Sequence, residues 1–382
     1  MTANLLKPSD YTDTSIFNLE QKRIFSKGWH YAGLQEDVAE IDHYITVTQG
    51  YCSYVIAMGE DGLLHAFQNV CRHRGMPLLE GKGKLPKQLT CPYHDWTYNK
   101  QGILKSLPKK RHEFPTIDKA CLSLKKAKVA IWRGMIWLNS DIDAVDIAHY
   151  FKEVEPLLAP YDVTSLIEVK EEKYETIIAA NWKLVVENYI DHYHLAQLHS
   201  GTLAMYDHKK AQFGFVGDHF HFWEPLSKDY QVDIEKNSPL PLLLDKKDPK
   251  LGAYVPMLFP CTGLAESESS WSVFQIIPLA VDRTKVIVRT KVKDVSMLSF
   301  IKQSLSSYNY WQNKVSSKRK RESSDKNHAL TSADFMQEDA YVCEQVQQSL
   351  NNPFFEFGPS ALMGEAPIRQ FQQIVKRRLS GF

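Results

Sequence analysis

Four residues in the first third of the chain have the side chains and the spacing of a metal centre. They are Cys71, His73, Cys91 and His94, in the pattern Cys-x-His, seventeen residues, Cys-x-x-His. Each half offers one thiolate and one imidazole, so two adjacent loops could hold a metal centre between them. Structural zinc is one interpretation, because two Cys and two His are an ordinary zinc ligand set.

The mixed composition of each half favours a different centre. Zinc fingers and ribbons usually pair Cys with Cys in one loop. In a Rieske [2Fe–2S] cluster, two Cys bind one iron and two His bind the other. Neutral imidazoles remove negative charge, so they raise the reduction potential of the cluster above that of an all-Cys cluster. The spacing therefore indicates an electron-accepting iron–sulfur site.

A second group lies in the segment NWKLVVENYIDHYHLAQLH, which begins at Asn181. Asp191 and His194 are three residues apart and would share one face of a helix. His199 follows five residues later, about 140° further around an ideal helix. We therefore expect the helix to end or distort just after His194, so that both imidazoles reach one ion. A mononuclear non-haem Fe(II) site normally adds one carboxylate to two His.

Both segments resemble motifs of the ring-hydroxylating, non-haem iron oxygenase α subunits. The first reads VCRHRGMPLLEGKG and then LTCPYHDWTYNKQGIL, and the second reads Asn-Trp-Lys, Glu-Asn-Tyr and Asp-x₂-His-x₄-His. The likeness extends from FNLEQKRIFSKGWHYAG to GEAPIRQFQQIVKRRL. One departure is Asp95, where family members usually have Gly. Its carboxylate either lowers the cluster potential, if it is close and ionised, or faces solvent.

The resemblance implies a set of ligands for two cofactors. The [2Fe–2S] ligands would be Cys71, His73, Cys91 and His94, and the Fe(II) ligands His194, His199 and Asp339. The carboxylate comes from a late helix with the sequence QEDAYVCEQVQ. Glu338 is the runner-up for this ligand, and a surface acidic pair is the alternative.

Asp191 has a separate role by the same resemblance. Its carboxylate would accept hydrogen bonds from an iron ligand and from a cluster His, orienting both rings along a short electron path. In the family this bridge crosses between subunits, from His94 of one chain to Asp191 of its neighbour. That implies a head-to-tail ring, most often a homotrimer.

The elements before residue 146 form a small antiparallel β unit. Residues 15–30 have helical spacing, and β-rich runs with turns follow. Gly59–Gly62 makes a hairpin turn, and Lys128–Asn139 is a strand pair or one strand bent at Gly134. The predicted strands are Tyr44–Val47, Cys52–Ala57 and Leu63–Val70.

The elements after residue 145 mix strands and helices, and Asn181 is a plausible helix N-cap. The predictions are a helix and connector over 146–165, strands at Leu166–Ile178, 211–224, Ser270–Pro278 and Thr284–Val292, and helices after Asn181 and near 294–314, 333–350 and 365–379. The resemblance implies an α+β fold in three parts. They are an N-terminal helical segment (1–40), a Rieske antiparallel β domain (41–145) and a helix-grip catalytic domain with an antiparallel sheet and helices (146–382).

Composition excludes several classes of protein. The 382 residues carry a net charge of +1, with 43% hydrophobic and 24% charged residues. These values are typical of a soluble globular protein, and they lack the excess of basic residues that indicates nucleic-acid binding. No apolar run is long enough for a membrane span. Six cysteines are too few for a disulfide scaffold, and the N-terminus has no signal-peptide pattern, so we expect a cytoplasmic location.

The function implied is that of a terminal oxygenase, a mono- or dioxygenase that hydroxylates or oxidatively demethylates a small organic substrate. The chain has no G-x-G-x-x-G fingerprint, so electrons from NAD(P)H must come through a partner, a ferredoxin or flavin reductase. The loop residues Lys105, Lys109, Lys110 and Arg111 could dock it, or form a solvated basic loop. The alternatives are a Rieske-type electron-transfer protein without oxygenase activity and a zinc-binding interaction module.

The substrate is either a quaternary amine or an aromatic compound. The C-terminal stretch resembles the α-only enzymes that act on quaternary ammonium compounds, but those often have Glu-Cys-Tyr-His where this chain has Asp191-His192-Tyr193-His194. The aromatic strand Phe213–Trp223 lines a pocket or is core. We expect the remaining nearby candidates to be packed or surface side chains: His192, His208, His219, His221 and Cys343.

Overall fold

The computed structural model describes residues 4–199, 203–237, 241–296, 298, 301, 328–332 and 334–381. The helix predicted near 294–314 falls almost wholly outside these residues. Two compact units are present: the first is Leu19–Phe151, and the second combines Met1–Asn18 with Lys152–Phe382. Among the described helices, none has the length and apolar character needed to cross a bilayer.

The expected N-terminal segment 1–40 is divided between these two units. Its helices are α1 (Pro8–Thr12) and α2 (Thr14–Glu20), and a short π-helical stretch, Gln21–Phe25, continues α2. The helix predicted over 15–30 therefore ends early. The reason is local, because Gly28 takes a left-handed φ of 77° and a strand begins two residues later.

The first unit contains a seven-stranded antiparallel sheet in the order β1-β10-β9-β4-β3-β2-β5 and a small sheet β6-β7-β8. Its strands are β1 (His30–Leu34), β2 (His43–Gln49), β3 (Cys52–Met58), β4 (Leu64–Gln68), β5 (Lys82–Lys84), β6 (Leu89–Thr90), β7 (Thr97–Tyr98), β8 (Leu104–Ser106), β9 (Lys126–Trp132) and β10 (Met135–Asn139). Its short helices are α3 (Lys110–Glu113) and α4 (Ile147–Tyr150).

Two hairpins of this unit follow from their turn residues. β3 and β4 are joined by the predicted turn, in which the Gly62 N–H donates to the Gly59 carbonyl at 3.0 Å. Lys128–Asn139 is a strand pair and not a bent strand. Arg133 and Gly134 have φ of 51° and 71°, the left-handed values that a two-residue type I′ turn requires at both positions.

The second unit contains a nine-stranded antiparallel sheet with the main order β11-β19-β18-β17-β15-β14-β13, to which β12 and β16 add. Its strands are β11 (Ile167–Glu168), β12 (Tyr174–Ile178), β13 (Gln212–Val216), β14 (His219–Pro225), β15 (Gly252–Tyr254), β16 (Met257–Leu258), β17 (Thr262–Glu266), β18 (Ser270–Ala280) and β19 (Arg283–Val292). The single strand predicted over 211–224 is a hairpin, because Gly217 turns the chain with φ 59°.

Besides α1 and the first part of α2, the second unit has five described helices: α5 (Trp182–Ile190), α6 (Leu195–Leu198), α7 (Lys228–Asn237), α8 (Phe335–Leu350) and α9 (Ala366–Ser380). Asn181 caps α5 as predicted, since its side chain accepts the Lys183 N–H at 3.0 Å. α5 packs against α8, α9 and β18, and most of its residues are buried. The predicted α+β class with antiparallel sheets is confirmed.

Candidate metal centres

The first candidate centre lies between two loops of the first unit. Cys71 and Cys91 are buried in a hydrophobic cluster with Trp96 and Tyr98. The imidazole rings of His73 and His94 lie on the more exposed side, with their centroids 4.6 Å apart. The structure thus brings the four predicted ligands together, with the sulfurs inside and the imidazoles toward solvent.

The two loops have the same backbone hydrogen bonds although their sequences differ. In each loop the Cys carbonyl accepts the N–H four residues on, and the Cys N–H donates to the carbonyl five residues on, at 2.9–3.0 Å. The fourth residue is Gly75 in one loop and Asp95 in the other, and both take left-handed φ, 81° and 55°. Asp95 therefore fills a Gly position because Asp tolerates this conformation better than most residues. Its side chain is exposed.

The surroundings fit a [2Fe–2S] cluster. The Arg72 N–H donates to the Tyr98 hydroxyl at 3.0 Å, which leaves the hydroxyl hydrogen for Cys71 Sγ at 3.4 Å. His73 Nδ1 is buried and has no hydrogen-bond partner among the described residues. Burial, followed by the nearby His94 and Arg74, lowers the pKa of His73. A neutral ring with a free nitrogen, next to two buried thiols, matches the ligand set of a Rieske centre.

The second candidate centre begins where α5 ends. The helix stops at Ile190, and Asp191 is extended, so the expectation that Asp191 and His194 share a helical face is wrong. The reason is an Asx-turn: Asp191 Oδ1 accepts the Tyr193 N–H at 2.8 Å and replaces the next helical hydrogen bond. A one-turn helix, α6, then follows with His194 and His199 as its two cap residues.

Three side chains converge at this break. His194, His199 and Asp339 each place one potential ligand atom within 4.8 Å of the others. Asp339 Oδ1 lies 3.0 Å from His199 Nε2 and 3.7 Å from His194 Nε2. Both imidazoles therefore turn the same nitrogen toward one carboxylate, the arrangement of two His and one carboxylate that suits Fe(II).

The other nitrogen of each imidazole is held by a second carboxylate. Asp191 Oδ2 is 2.9 Å from His194 Nδ1, and Glu338 Oε2 is 2.8 Å from His199 Nδ1. Carboxylates on Nδ1 orient metal-binding rings and strengthen them as ligands. Glu338, the runner-up for the ligand, thus contacts the outer nitrogen of His199 while its neighbour Asp339 faces the inner one.

Electrostatics favour a positive ion at this point. Burial lowers the pKa of His199, but hydrogen bonds to Asp339 and Glu338 outweigh burial and raise that pKa to about 9. The cluster of carboxylates would thus hold a proton on a buried ring. A divalent metal ion would satisfy the same negative charge, and the donor set fits iron.

The centre opens into a cavity of about 460 Å³ in the second unit. Its floor is the inner face of the large sheet, where apolar side chains such as Phe274, Ile276 and Val288 predominate. His194, His199 and Asp339 line one part of it. The cavity can therefore place a small molecule beside the three converging side chains.

The remaining candidate residues have structural contacts. The Nε2–H of His192 donates to the His208 carbonyl, 3.0 Å away, and the His192 ring stacks on Phe213. Burial lowers the pKa of His219, to about 4, and of His221. Cys343 is buried and contacts the Leu184 carbonyl at 3.7 Å.

Two functional candidates are absent from the sequence predictions. One is Glu338 as the partner of His199, since it was considered only as a ligand. The other is Glu224, a buried carboxylate on the cavity wall. Its signal was present in the sequence: Glu224 continues the alternation Phe220-x-Phe222, so it occupies an inward position of an aromatic strand.

Two family models match the chain. Residues 163–381 match the family described as ring hydroxylating alpha subunit (catalytic domain), and residues 28–128 match the Rieske [2Fe-2S] domain. The second candidate centre lies within the first match, and the first candidate centre lies within the second match.

Individual relatives cover part of the chain. A carnitine monooxygenase oxygenase subunit of Acinetobacter pittii (strain PHEA-2) is 34% identical over 192 residues, which are 50% of this chain and 51% of the relative. A chlorobenzene dioxygenase subunit alpha of Cupriavidus sp. (strain PS12) is 32% identical over 197 residues, which are 50% of this chain and 43% of the relative. This chain matches about half the length of these curated relatives.

Solved structures share the fold over almost the whole chain. The quaternary ammonium Rieske monooxygenase CntA in complex with L-carnitine has a TM-score of 0.71 at 22% identity, covering 99% of this chain and 95% of that one. Naphthalene 1,2-dioxygenase from Rhodococcus sp. bound to indole has a TM-score of 0.72 at 18% identity, covering 98% and 94%. At these identities the likeness establishes the fold.

Proposed function

Because this chain belongs to the family of ring-hydroxylating α subunits, we propose that it is the terminal component of a Rieske non-haem iron oxygenase. It uses O₂ and electrons that originate from NAD(P)H to hydroxylate or oxidatively demethylate a small organic substrate. The convergence of His194, His199 and Asp339 on one point beside a cavity is the observation that carries this proposal.

Each residue role is part of the proposal. Cys71, His73, Cys91 and His94 hold a [2Fe–2S] cluster, and His194, His199 and Asp339 hold Fe(II). When bound, the cluster supplies one-electron transfer and the iron supplies O₂ binding and reduction. Glu338 keeps the His199 ring turned toward the ion, and the apolar wall of the cavity excludes water and orients the substrate.

The bridge is assigned to Asp191. Its Oδ2 faces His194 Nδ1 at 2.9 Å and its Oδ1 accepts the Tyr193 N–H. The carboxylate retains lone pairs for a further donor, which we assign to His94 of a neighbouring subunit. This assignment requires a ring of subunits, which we propose to be a homotrimer.

The proposal also includes the electron donor and the cellular location of the protein. A ferredoxin or flavin reductase delivers the electrons. The candidate docking contacts are four exposed basic residues, which lie on β8, at the start of α3 and within α3 and not in one loop as expected: Lys105, Lys109, Lys110 and Arg111. A cytoplasmic location is consistent with six cysteines that form no disulfide.

The overall reaction balances for a monooxygenase outcome. One oxygen atom enters a C–H bond of the substrate, and the other leaves as water after two electrons and two protons are supplied. In a dioxygenase outcome both oxygen atoms enter an aromatic substrate as hydroxyl groups, two electrons and two protons are again consumed, and no water is released; the same residues are used. The names of the relatives, a carnitine monooxygenase and a chlorobenzene dioxygenase, support both substrate classes.

Metal analysis tests the proposal against a pure electron carrier. Anaerobically purified protein, reconstituted with Fe(II), should contain about three iron atoms and two sulfides per chain. Asp339→Ala should lower this to about two iron atoms with an unchanged cluster spectrum. Gln337→Ala, an exposed neighbour on the same helix, is the matched control and should keep all three. About two iron atoms in every protein would indicate the carrier, and colourless zinc protein would contradict both.

A further inference from the structure

Glu224 is a buried carboxylate on the wall of the cavity that opens from His194 and Asp339. Successive side chains of a strand point to opposite faces, and the buried residues Phe220, Phe222 and Glu224 of β14 all line the cavity. Glu224 is only 3% exposed. Burial of a carboxylate in an aromatic row is unfavourable unless a partner or ligand compensates its charge.

The protein compensates only part of that charge. His208 Nδ1 contacts Glu224 Oε2 at 2.8 Å, whereas no described residue forms a hydrogen bond with Oε1. Tyr206 also lines the cavity, and its hydroxyl donates to Glu268 Oε2 at 2.9 Å. Burial, then Glu268 and Tyr230, and finally Glu224 raise the pKa of Tyr206. Glu224 and Tyr206 are therefore electrostatic neighbours on one wall.

The described lining of the cavity contains no lysine or arginine. It does contain two other glutamates outside the iron centre. Glu266 accepts the Ala159 N–H at 3.3 Å, and Glu172 is exposed. An anionic substrate such as an aromatic carboxylate would meet Glu224 without any basic partner on this wall. An organic cation would instead be attracted by the carboxylate and by the faces of nearby rings.

We propose that Glu224 selects the substrate by charge and that the substrate is an organic cation, a substituted ammonium, whose charged group lies against Glu224 and Tyr206. This inference rests on the proposed function, because it takes the cavity to be the substrate site. It assigns to Glu224 a role in binding the substrate and no role in the oxygenation step.

Calorimetric binding to the holoprotein tests it. The probes are choline and its uncharged isostere 3,3-dimethylbutan-1-ol, which differ in charge but little in shape. The wild type should bind choline at least about tenfold more tightly than the alcohol. Glu224→Gln should remove most of that preference by weakening choline binding and leaving alcohol binding unchanged.

Two variants complete the design. Glu175→Gln is the matched control, because Glu175 lies on β12 outside the cavity lining and pairs with Lys285. It should keep the wild-type preference. Glu224→Asp retains the charge and should keep a preference for choline, so the inference stays testable if Glu224→Gln does not fold.

Several results would overturn the inference. For the wild type they are equal binding of choline and the alcohol, tighter binding of benzoate than of choline, or no binding of choline, tetramethylammonium or benzyltrimethylammonium. For Glu224→Gln the contradicting result is an unchanged preference for choline over the alcohol. If one of these results is obtained with protein that holds about three iron atoms per chain, the oxygenase proposal stands and only the selection of substrate by charge fails.

Discussion

His194 Nδ1 and Asp191 Oδ2 lie 2.9 Å apart, although the helix that precedes them ends before either residue. The Asx-turn at Asp191 fixes the carboxylate, and the carboxylate in turn fixes the imidazole. His194 is thereby directed with Nε2 toward Asp339. A single acidic side chain therefore ends the helix and orients a proposed metal ligand.

Asp191→Asn should show whether Asp191 is needed for electron transfer and turnover and not for binding the metals. We expect the cluster to be retained, and Fe(II) supplied in excess to stay bound although more weakly, because Asp191 contacts the outer nitrogen of His194 and no metal in the proposed arrangement. Substrate turnover coupled to electron supply should fall by about 10–100-fold or more. Iron content, the cluster spectrum and the single-turnover rate of cluster oxidation measure this. Turnover equal to that of the wild type would contradict the bridging role.

Glu338 and Asp339 are adjacent carboxylates on α8, and we expect their substitution to affect Fe(II) binding to different extents. Asp339→Asn should abolish tight binding of Fe(II), since it removes the proposed ligand. Glu338→Gln should weaken binding by about 10–100-fold, because an amide orients the His199 ring less strongly than a carboxylate. Fe(II) titration of the metal-free variants distinguishes the two. If Glu338→Gln lost iron as completely as Asp339→Asn, the ligand assignment would have to be revised.

Tyr98→Phe should lower the reduction potential of the cluster. Its hydroxyl contacts Cys71 Sγ at 3.4 Å, and a hydrogen bond to sulfur stabilises the more negative reduced state. Redox titration followed by absorbance measures the shift. Asp95→Asn should raise the potential only slightly, because the carboxylate that it removes is exposed and screened by solvent, while Asn still tolerates the left-handed φ. Shifts of the same sign in both variants would refute this account.

Glu187 should make stability depend on pH. Burial raises the pKa of Glu187 from 4.5 to about 7, against the weaker opposing effects of Tyr11, Gln372 and Lys183. The protonated form is favoured in the folded state, so this stability is full below about pH 4.5 and is lost as the pH rises through about 7.

Glu187→Gln stays uncharged at every pH and should therefore gain stability relative to the wild type as the pH rises. The gain between pH 5 and pH 8 should be about 2–3 kcal/mol, since one pKa unit corresponds to 1.36 kcal/mol. Thermal or denaturant unfolding at both pH values measures it. A constant difference between variant and wild type would show that Glu187 is ionised throughout.

Much of the architecture could be predicted from local patterns. The β3–β4 and β9–β10 hairpins follow from their turn residues. As expected, one helix begins after Asn181, and α8 lies within the range 333–350 predicted for a helix. The errors have local causes as well. The first helix ends at Phe25 because of Gly28, and the strand predicted over 211–224 folds back at Gly217.

The sequence by itself determined the chemistry: which thiols and imidazoles can bind metal, and the presence of two distinct ligand sets. Those properties depend on residue type and short spacing. The tertiary structure decided how the carboxylates are used. Glu338 and Asp339 reach opposite nitrogens of His199 from 139 and 140 residues away, and Glu224 faces the cavity only because β14 is paired within the sheet. Such contacts depend on how strands and helices pack, which spacing along the chain does not encode.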